Sequence, residues 1–369
     1  GFILVAAPLS WVEQKKVECM RQGKGDETEP RRIAFLSRHA WPWDRQTEDE
    51  AGSHKALQIS WDAAGDPDWL AVFDDISDAV RTRVPVGRRI LFVTEPPGQK
   101  RYLPRAVNQF GILVSPYPID GFRGTWVASQ PGINWFYGVE FVDRKPVSRI
   151  GMRQLRSTNV PENKAARISV VCSTKRKLPG HRARVALLEK LTEALPGQID
   201  VFGRGFKEIG DKAEVIDPYR YHLVLENNDC PHFWTEKLAD AYLGYALPIY
   251  SGWANVGDYF PLGSLVRLPD VHDHEGVITT VRGLLRDDPW AARLGDIRLA
   301  RERLIDEHNI FSLIARITET APAGPRLSEE QVIYPGKQCT AIRALLRGTR
   351  SVADGWIARQ ERKTSDATA

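Results

Sequence analysis

Cysteine is scarce in this chain. Cys19, Cys172, Cys230 and Cys339 are scattered over 369 residues with no CxxC spacing. That argues against a disulfide framework or a thiolate zinc site and favours a reducing compartment. Long apolar runs are missing as well. The opening run 2–9 is about eight residues, against the roughly 20 a membrane-spanning helix needs. No basic segment precedes it, as one would in a signal peptide. Because the chain begins at Gly1 and not Met, a few residues are expected ahead of it. Neither sign of charge dominates: 51 Lys plus Arg against 47 Asp plus Glu give +4. This is too thin for the dense basic stripe of a nucleic-acid binder, so no nucleic-acid partner is expected. There is no GxGxxG, no P-loop and no GxSxG, which removes the dinucleotide, ATP and serine-hydrolase fingerprints.

What is present is an ordinary globular composition, 42% hydrophobic and 27% charged. The length fits two to three domains or one large two-lobed unit. Short Val/Ile/Phe/Leu-rich runs alternate with helical patterns. Candidate strands are 2–6, 32–36, 69–73, 89–94 and 110–114, then 168–172, 199–203, 222–226, 247–250 and 265–268. The runs are continuous, not alternating, as in strands of a parallel sheet covered on both faces. A helix is expected over 184–195, with Val185, Leu188, Leu191 and Leu195 on one face and Pro196-Gly197 as its stop. A second starts near Thr235, puts Leu238, Ala241, Tyr242 and Tyr245 on one face, and ends before Pro248. The polar stretch 152–164 reads as a linker between halves of about five strands each. The expectation is an α/β fold of two Rossmann-like lobes facing each other across a cleft: 1–163, 164–326, and a basic tail 327–369. The tail carries Arg343, Arg347, Arg350, Arg359, Arg362 and Lys363. It suits peripheral contact with an anionic membrane surface or, as the simpler alternative, a solvated helix packed across the lobes.

The most informative segment is 219–260. A buried strand ends in Glu226-Asn227, and after a loop a helix begins with Thr235 as its N-cap and Glu236-Lys237 in its first turn. Strand end and helix N-terminus meet where α/β sheets bind ligands, and the free N–H groups there favour phosphate. Lys237 adds a full positive charge, while Glu236 and Asn227 suit the hydroxyls of a ribose or sugar. A Glu-Lys pair in a first helical turn is also commonplace, so this pattern alone leaves a plain capped helix open.

The wording of the segment goes further. Tyr219-Arg220-Tyr221, Leu225-Glu226-Asn227, Thr235-Glu236-Lys237, Pro248-Ile249-Tyr250 and Gly252 occur in order, preceded by Val201-Phe202-Gly203-Arg204-Gly205. Before these lie Cys172-Ser173-Thr174-Lys175 and His181-Arg182-Ala183-Arg184. Together they resemble the donor-binding signature of the family 10 glycosyltransferases, the α-1,3/1,4-fucosyltransferases. The resemblance is specific over about 168–268 and thins ahead of it to 89–115. It implies a GT-B fold and inverting transfer of L-fucose from GDP-β-L-fucose to a hydroxyl of a GlcNAc-containing glycan or glycolipid, in an α-1,3-type linkage. It implies Arg184 on the donor diphosphate, with Arg182 as its neighbour in the same role, and Lys237 as the second phosphate contact. Glu236 and Asn227 then line the ribose and sugar, and Glu226 lines the donor or braces the loop. Lys175 and Lys212 are weaker phosphate-side candidates. The loop 228–234 lacks the Tyr common in the family before T-E-K, and Phe233 stands nearby as a donor-site candidate.

The general base is expected from the other lobe. There Thr94-Glu95 ends a buried strand ahead of Pro96-Pro97, resembling the family segment that carries the base; a strand-end cap or a surface ion pair is the plain alternative. The resemblance further implies that no cofactor and no bound metal are required. Asp66-Pro67-Asp68 reads as a turn, and His272 and His274 with their acidic neighbours read as a solvated loop. Trp41, Trp43, Trp126 and Trp135 stand in contexts open to sugar stacking, although packing suits any one of them. Animal members carry a Golgi anchor that is not visible here. A soluble bacterial-type member is therefore expected, cytoplasmic or at the inner membrane face. The same scaffold using another nucleotide sugar, and a non-catalytic glycan-binding relic, are the alternatives.

Overall fold

The computed structural model describes residues 29–174, 179–228, 230–320 and 325–337. The expected strand 2–6, Lys175 and the basic tail from 338 onward lie outside the described residues.

The first lobe is built on β1 (Arg31–Ser37), β2 (Ser53–His54), β3 (Leu57–Ser60), β4 (Trp69–Phe73), β5 (Val80–Thr82), β6 (Arg89–Phe92), β7 (Ile112–Ser115) and β8 (Thr125–Ala128). Seven of these form one sheet in the order β2-β3-β1-β4-β6-β7-β8, parallel except for β2. The continuous apolar runs have the physical meaning expected of them. In β1, β4, β6 and β7 alternate residues serve opposite faces. Ile33, Phe35, Ala71, Phe73, Ile90 and Phe92 enter one core, while Ala34, Leu36, Leu70, Val72 and Leu91 enter another.

A hairpin of β9 (Val139–Val142) and β10 (Lys145–Ser148) follows. The second lobe then carries β11 (Ala165–Val171), β12 (Ile199–Phe202), β13 (Tyr219–Leu225), β14 (Leu247–Ser251) and β15 (Val266–Arg267). They form an all-parallel sheet in the order β12-β11-β13-β14-β15. Helices Pro179–Ala194, Glu236–Leu243, His274–Asp287 and Leu294–Asp306 supply most of its cover. Two parallel sheets with helical crossovers make a mixed α/β protein of two Rossmann-like lobes, the GT-B arrangement.

Three expectations are corrected. The stretch 152–164 is not a free linker. Met152–Ser157 is a helix whose Met152 and Leu155 are fully buried, and Lys164 is buried with its ammonium on the carbonyls of Ile216 and Tyr219. Spacing of apolar side chains, not overall polarity, decides such a segment. Tyr245 does not continue the helix that began at Thr235. That helix stops at Leu243 with Gly244 as its cap, and Tyr245 takes φ +55°. The boundary at 326 does not describe the packing either. Ile310–Thr320 crosses back and buries Ile310, Phe311, Leu313, Ile314 and Ile317 against the first sheet. Beyond it, β16 (Gln331–Ile333) pairs with β5 and drops Ile333 into the opposite core.

Exchange runs the other way too: Ile133, Trp135 and Tyr137 pack into the second lobe. Buried polar groups brace this crossing. Arg45, 2% exposed, donates to the carbonyls of Trp135, Tyr137 and Ile150. Burial pulls its guanidinium down to about 10, so it stays charged at neutral pH. Asp240, fully buried on the second-lobe helix, accepts the N–H groups of Phe136 and Tyr137 at 2.9 and 3.0 Å and the Lys212 ammonium at 2.6 Å.

Candidate active site

Parallel sheets present their strand C-termini together, so loop residues after β13 and β14 gather at one edge. At that edge Glu226 follows β13 and hydrogen-bonds by its N–H to Ser251 at the end of β14. Its carboxylate is fully buried and accepts from the Thr235 N–H (2.8 Å) and hydroxyl (2.9 Å) and, at 3.4 Å, from Lys237. Burial pushes this carboxyl up, against the pull of Lys237. Glu226 is therefore the brace beneath the loop, one of its two expected roles. Gly252 completes the brace: a Cβ there would come within 2.3 Å of the Tyr250 hydroxyl and 3.1 Å of Glu226 Cγ.

Thr235 caps the helix by accepting from the Lys237 N–H at 3.4 Å. The Lys237 ammonium reaches Thr235 Oγ1 at 2.9 Å, Glu236 at 3.3 Å and Glu226 at 3.4 Å. The two carboxylates raise its pKa despite burial. Glu236 is held down at about 2, because Lys237 and Lys212 outweigh the cost of burying it. All three ammonium protons thus have partners, and Lys237 is a charge embedded in the site more than a free donor.

Arg184 is different. It lies in the helix Pro179–Ala194, whose N-terminus comes so close to the β13 loop that a Cβ on Gly180 would meet the Asn227 carbonyl at 2.9 Å. One guanidinium nitrogen donates to Asn227 Oδ1, while Nε is buried with no partner among the described residues. Buried donors are nearly always satisfied; Arg184 Nε is one of nine buried side-chain atoms among the described residues that are not, and it is the one on a side chain that also bonds Asn227. Lys237 feels Arg184 as a repelling charge, so the two cations share one site. Below them, Gly203 (φ +108°) and Gly205 (φ +87°) make the turn after β12. A Cβ at either would strike Cys172 O at 2.3 Å or Thr174 Oγ1 at 2.6 Å, which explains the two glycines of the Val-Phe-Gly-Arg-Gly run.

Across the cleft, β6 leads into Thr94 and Glu95. The Glu95 carbonyl accepts from Tyr117 at 2.6 Å, and the N–H groups of Thr94 and Glu95 both point to the Tyr102 hydroxyl at 3.3 Å. The half-buried carboxylate makes no hydrogen bond or ion pair among the described residues. Burial raises its pKa first, followed by Asp74 and Glu236, while Lys100 and Lys237 oppose the rise. Glu95 therefore feels the charges of Glu236 and Lys237 on the second lobe.

The structure brings Arg184, Asn227, Glu226, Glu236, Lys237 and Glu95 together. Phe233 is only 5% exposed and offers no free ring face, so its expected place in the donor site is corrected to packing. Arg182 is exposed on the helix surface. Lys212 is committed to Asp240 and is a brace, not a phosphate ligand. Trp43 and Trp135 are buried. Trp41 packs at a tilt against Phe136 (4.5 Å between centroids), which stacks on Phe141, 49% exposed. Lys212 lies 4.9 Å over Phe136, so this aromatic run ends beside Glu236. Asp66 and Asp68 hold Arg326, as a turn does, not a metal. Among the described residues no group of three His, Cys, Asp or Glu could hold a metal ion, and no helix is long and apolar enough to cross a membrane.

Sequence reasoning missed Asp74, Tyr102 and Lys100, which support Glu95. Asp74 directly follows β4, so the rule that strand C-termini carry sites would have found it.

Residues 162–290 match the family model described as glycosyltransferase family 10 (fucosyltransferase), C-terminal. The alpha-(1,3)-fucosyltransferase FucT of Helicobacter pylori is 30% identical over 76 residues, 21% of this chain and 16% of that protein. The chain thus matches about one sixth of the length of that curated relative. Solved structures similar to it include an alpha1,3-fucosyltransferase with GDP-fucose, 14% identical over 84% of this chain and 96% of that one (TM-score 0.46). Another is the spinosyn forosaminyltransferase SpnP, 10% identical over 79% and 99% (TM-score 0.39). The match at 162–290 covers β11 to β15 and Arg184, Glu226, Asn227, Glu236 and Lys237, so the likeness to the C-terminal part of glycosyltransferase family 10 falls on the second lobe.

Proposed function

We propose that this protein is an inverting fucosyltransferase that moves L-fucose from GDP-β-L-fucose to a hydroxyl of a GlcNAc-containing glycan, in an α-1,3-type linkage. The observation that carries the reading is the meeting of Arg184 and Lys237 within the matched region and of Glu95 opposite them, where Arg184 Nε and the Glu95 carboxylate have no partner among the described residues. Arg184 gives the diphosphate a charge-assisted hydrogen bond. Lys237 and the helix end neutralise the charge that develops as GDP leaves. Asn227 and Glu236 take donor hydroxyls. Glu95 accepts the proton of the attacking hydroxyl as its oxygen bonds to the anomeric carbon, and the carbon–phosphate oxygen bond breaks on the opposite face, with its electron pair departing on GDP. Protein cations carry out the charge neutralisation, so the reaction is expected to survive chelators. The Trp41–Phe136–Phe141 run suits stacking of acceptor sugar rings. No nucleic acid takes part, and the basic tail suits peripheral contact at the inner face of a membrane.

The test is a thermal-shift panel of GDP, UDP, CMP and ADP sugars, followed by transfer from GDP-[14C]fucose to N-acetyllactosamine. Stabilisation by GDP-fucose above the others, with labelled trisaccharide formed in the presence of EDTA, supports the reading. Preference for another nucleotide sugar would falsify the donor assignment. GDP binding without turnover on any acceptor would make the protein a binding relic of the fold.

A further inference from the structure

Next to the base, a cavity of about 320 Å³ opens beside the C-terminal ends of β4 and β6. That is the small end of the range for ligand sites. Its floor is apolar, formed by Val72, Leu91, Val107 and Phe110. Its wall and rim carry Arg38, Lys100, Arg101 and Lys337 against Asp74 and Asp75, an excess of two positive charges.

Both acids are already satisfied. Asp74 accepts from Lys100 at 2.7 Å and from the Tyr102 hydroxyl at 2.5 Å, and Asp75 accepts the N–H groups of Ile76 and Gly336 at 3.0 Å. Arg38, Arg101 and Lys337 are exposed, and their side chains make no hydrogen bond or ion pair among the described residues. Unspent cations above an apolar floor fit one kind of ligand, an anion on an apolar body. Guanidinium pairs match phosphate and carboxylate in geometry as well as charge. The cavity also touches the chemistry. Tyr102, part of its wall, binds the N–H groups of Thr94 and Glu95, so an occupant sits one side chain from the base.

We propose that this cavity is a subsite for the acceptor's aglycone, a phosphate or carboxylate joined to an apolar group. Arg38, Arg101 and Lys337 hold the anion, and Val72, Leu91 and Phe110 carry the apolar part. That the occupant is the acceptor rests on the transferase reading above; that the cavity binds such an anion does not.

Calorimetry on the full chain with octyl phosphate, octyl glucoside and inorganic phosphate tests it. Octyl phosphate is expected to bind at least about tenfold more tightly than either control, the scale of one charge-assisted hydrogen bond. The Arg38→Ala/Arg101→Ala double variant should lose at least that factor, with GDP affinity and Tm as in the wild type; both positions are exposed, so the fold is not at risk. Octyl glucoside binding as tightly as octyl phosphate, or an unchanged affinity in the double variant, overturns the anion site. Inorganic phosphate binding as tightly as octyl phosphate overturns the apolar half. In transfer assays octyl phosphate should compete with the acceptor; inhibition insensitive to acceptor concentration overturns the acceptor role. Octyl phosphate binding in a protein that fails to bind GDP leaves the subsite standing and removes the transferase reading instead.

Discussion

The two sides of the cleft handle charge in opposite ways. On the second lobe, Glu226, Glu236 and Lys237 spend their charges on one another, while Arg184, which shares their site, keeps an Nε without a partner among the described residues. On the first lobe, Glu95 has its backbone pinned by Tyr102 and Tyr117 while its carboxylate has no partner among the described residues. On the proposed function, a donor pocket presents a cationic wall to a diphosphate, so Glu226 is consumed as internal scaffolding, while Glu236 pairs with Lys237 and stays 26% exposed toward a hydroxyl. A base must keep its lone pair for a proton, so its scaffold grips the main chain instead.

Breaking the first-lobe side should have the largest effect. Glu95→Gln keeps shape and hydrogen-bonding reach but cannot take a proton. Its kcat should fall about 10²–10⁴-fold, the usual worth of a positioned base, while GDP affinity by calorimetry stays at the wild-type value. A near wild-type kcat would move the base elsewhere. The brace between the lobes comes next. Asp240→Ala strips Lys212 and two backbone N–H groups of their buried partner. A loss of about 3–5 kcal/mol in urea-unfolding stability is expected from breaking a buried pair; a loss under 1 kcal/mol would mean that the crossing is held by packing alone.

The donor side sharpens the contrast between its two cations. Arg184→Ala removes a donor whose Nε has no partner among the described residues, so GDP binding should weaken by about 1.5–3 kcal/mol with little change in Tm. Lys237→Ala should weaken GDP binding too, but it also leaves Glu226 and Glu236 without their shared cation, so Tm should fall with it. Equal Tm for the two variants would contradict the distinction between a free donor and an embedded charge.

How much of this could be read beforehand follows from where the information lies. Buried parallel strands announce themselves through unbroken apolar runs, and β4 and β13 were legible for that reason. Thr235-Glu236-Lys237 was legible because capping and charge are local in sequence. What resisted was non-local. Nothing in Ile310–Thr320 says which sheet it will cover, since an apolar helix face fits either lobe. Arg45 and Asp240 look like surface charges until the chain brings carbonyls and N–H groups to them from about 100 residues away. The division of labour within Leu-Glu-Asn and Thr-Glu-Lys was likewise hidden, because whether a carboxylate faces a ligand or a neighbouring lysine depends on rotamers that spelling does not carry.

The smallest expected effect is a shift in pH dependence, and it tests the electrostatic link across the cleft. Glu95 has its pKa raised above the ordinary 4.5 by burial, by Asp74 and by Glu236, with Lys100 and Lys237 opposing. A base works only when deprotonated, so activity should be full at neutral pH and fall as pH drops through a value above 4.5. Removing a like charge lowers that value; removing an opposing cation raises it. Lys237→Met should therefore move the acid limb of kcat/KM to higher pH, and Glu236→Gln should move it lower. Each shift should be a fraction of a pH unit, because a gap open to water screens the field between the lobes. Opposite shifts from two adjacent residues on the second lobe would tie both to the carboxylate on the first. An acid limb that stays fixed in both variants would mean that the two lobes do not face each other at these residues during turnover.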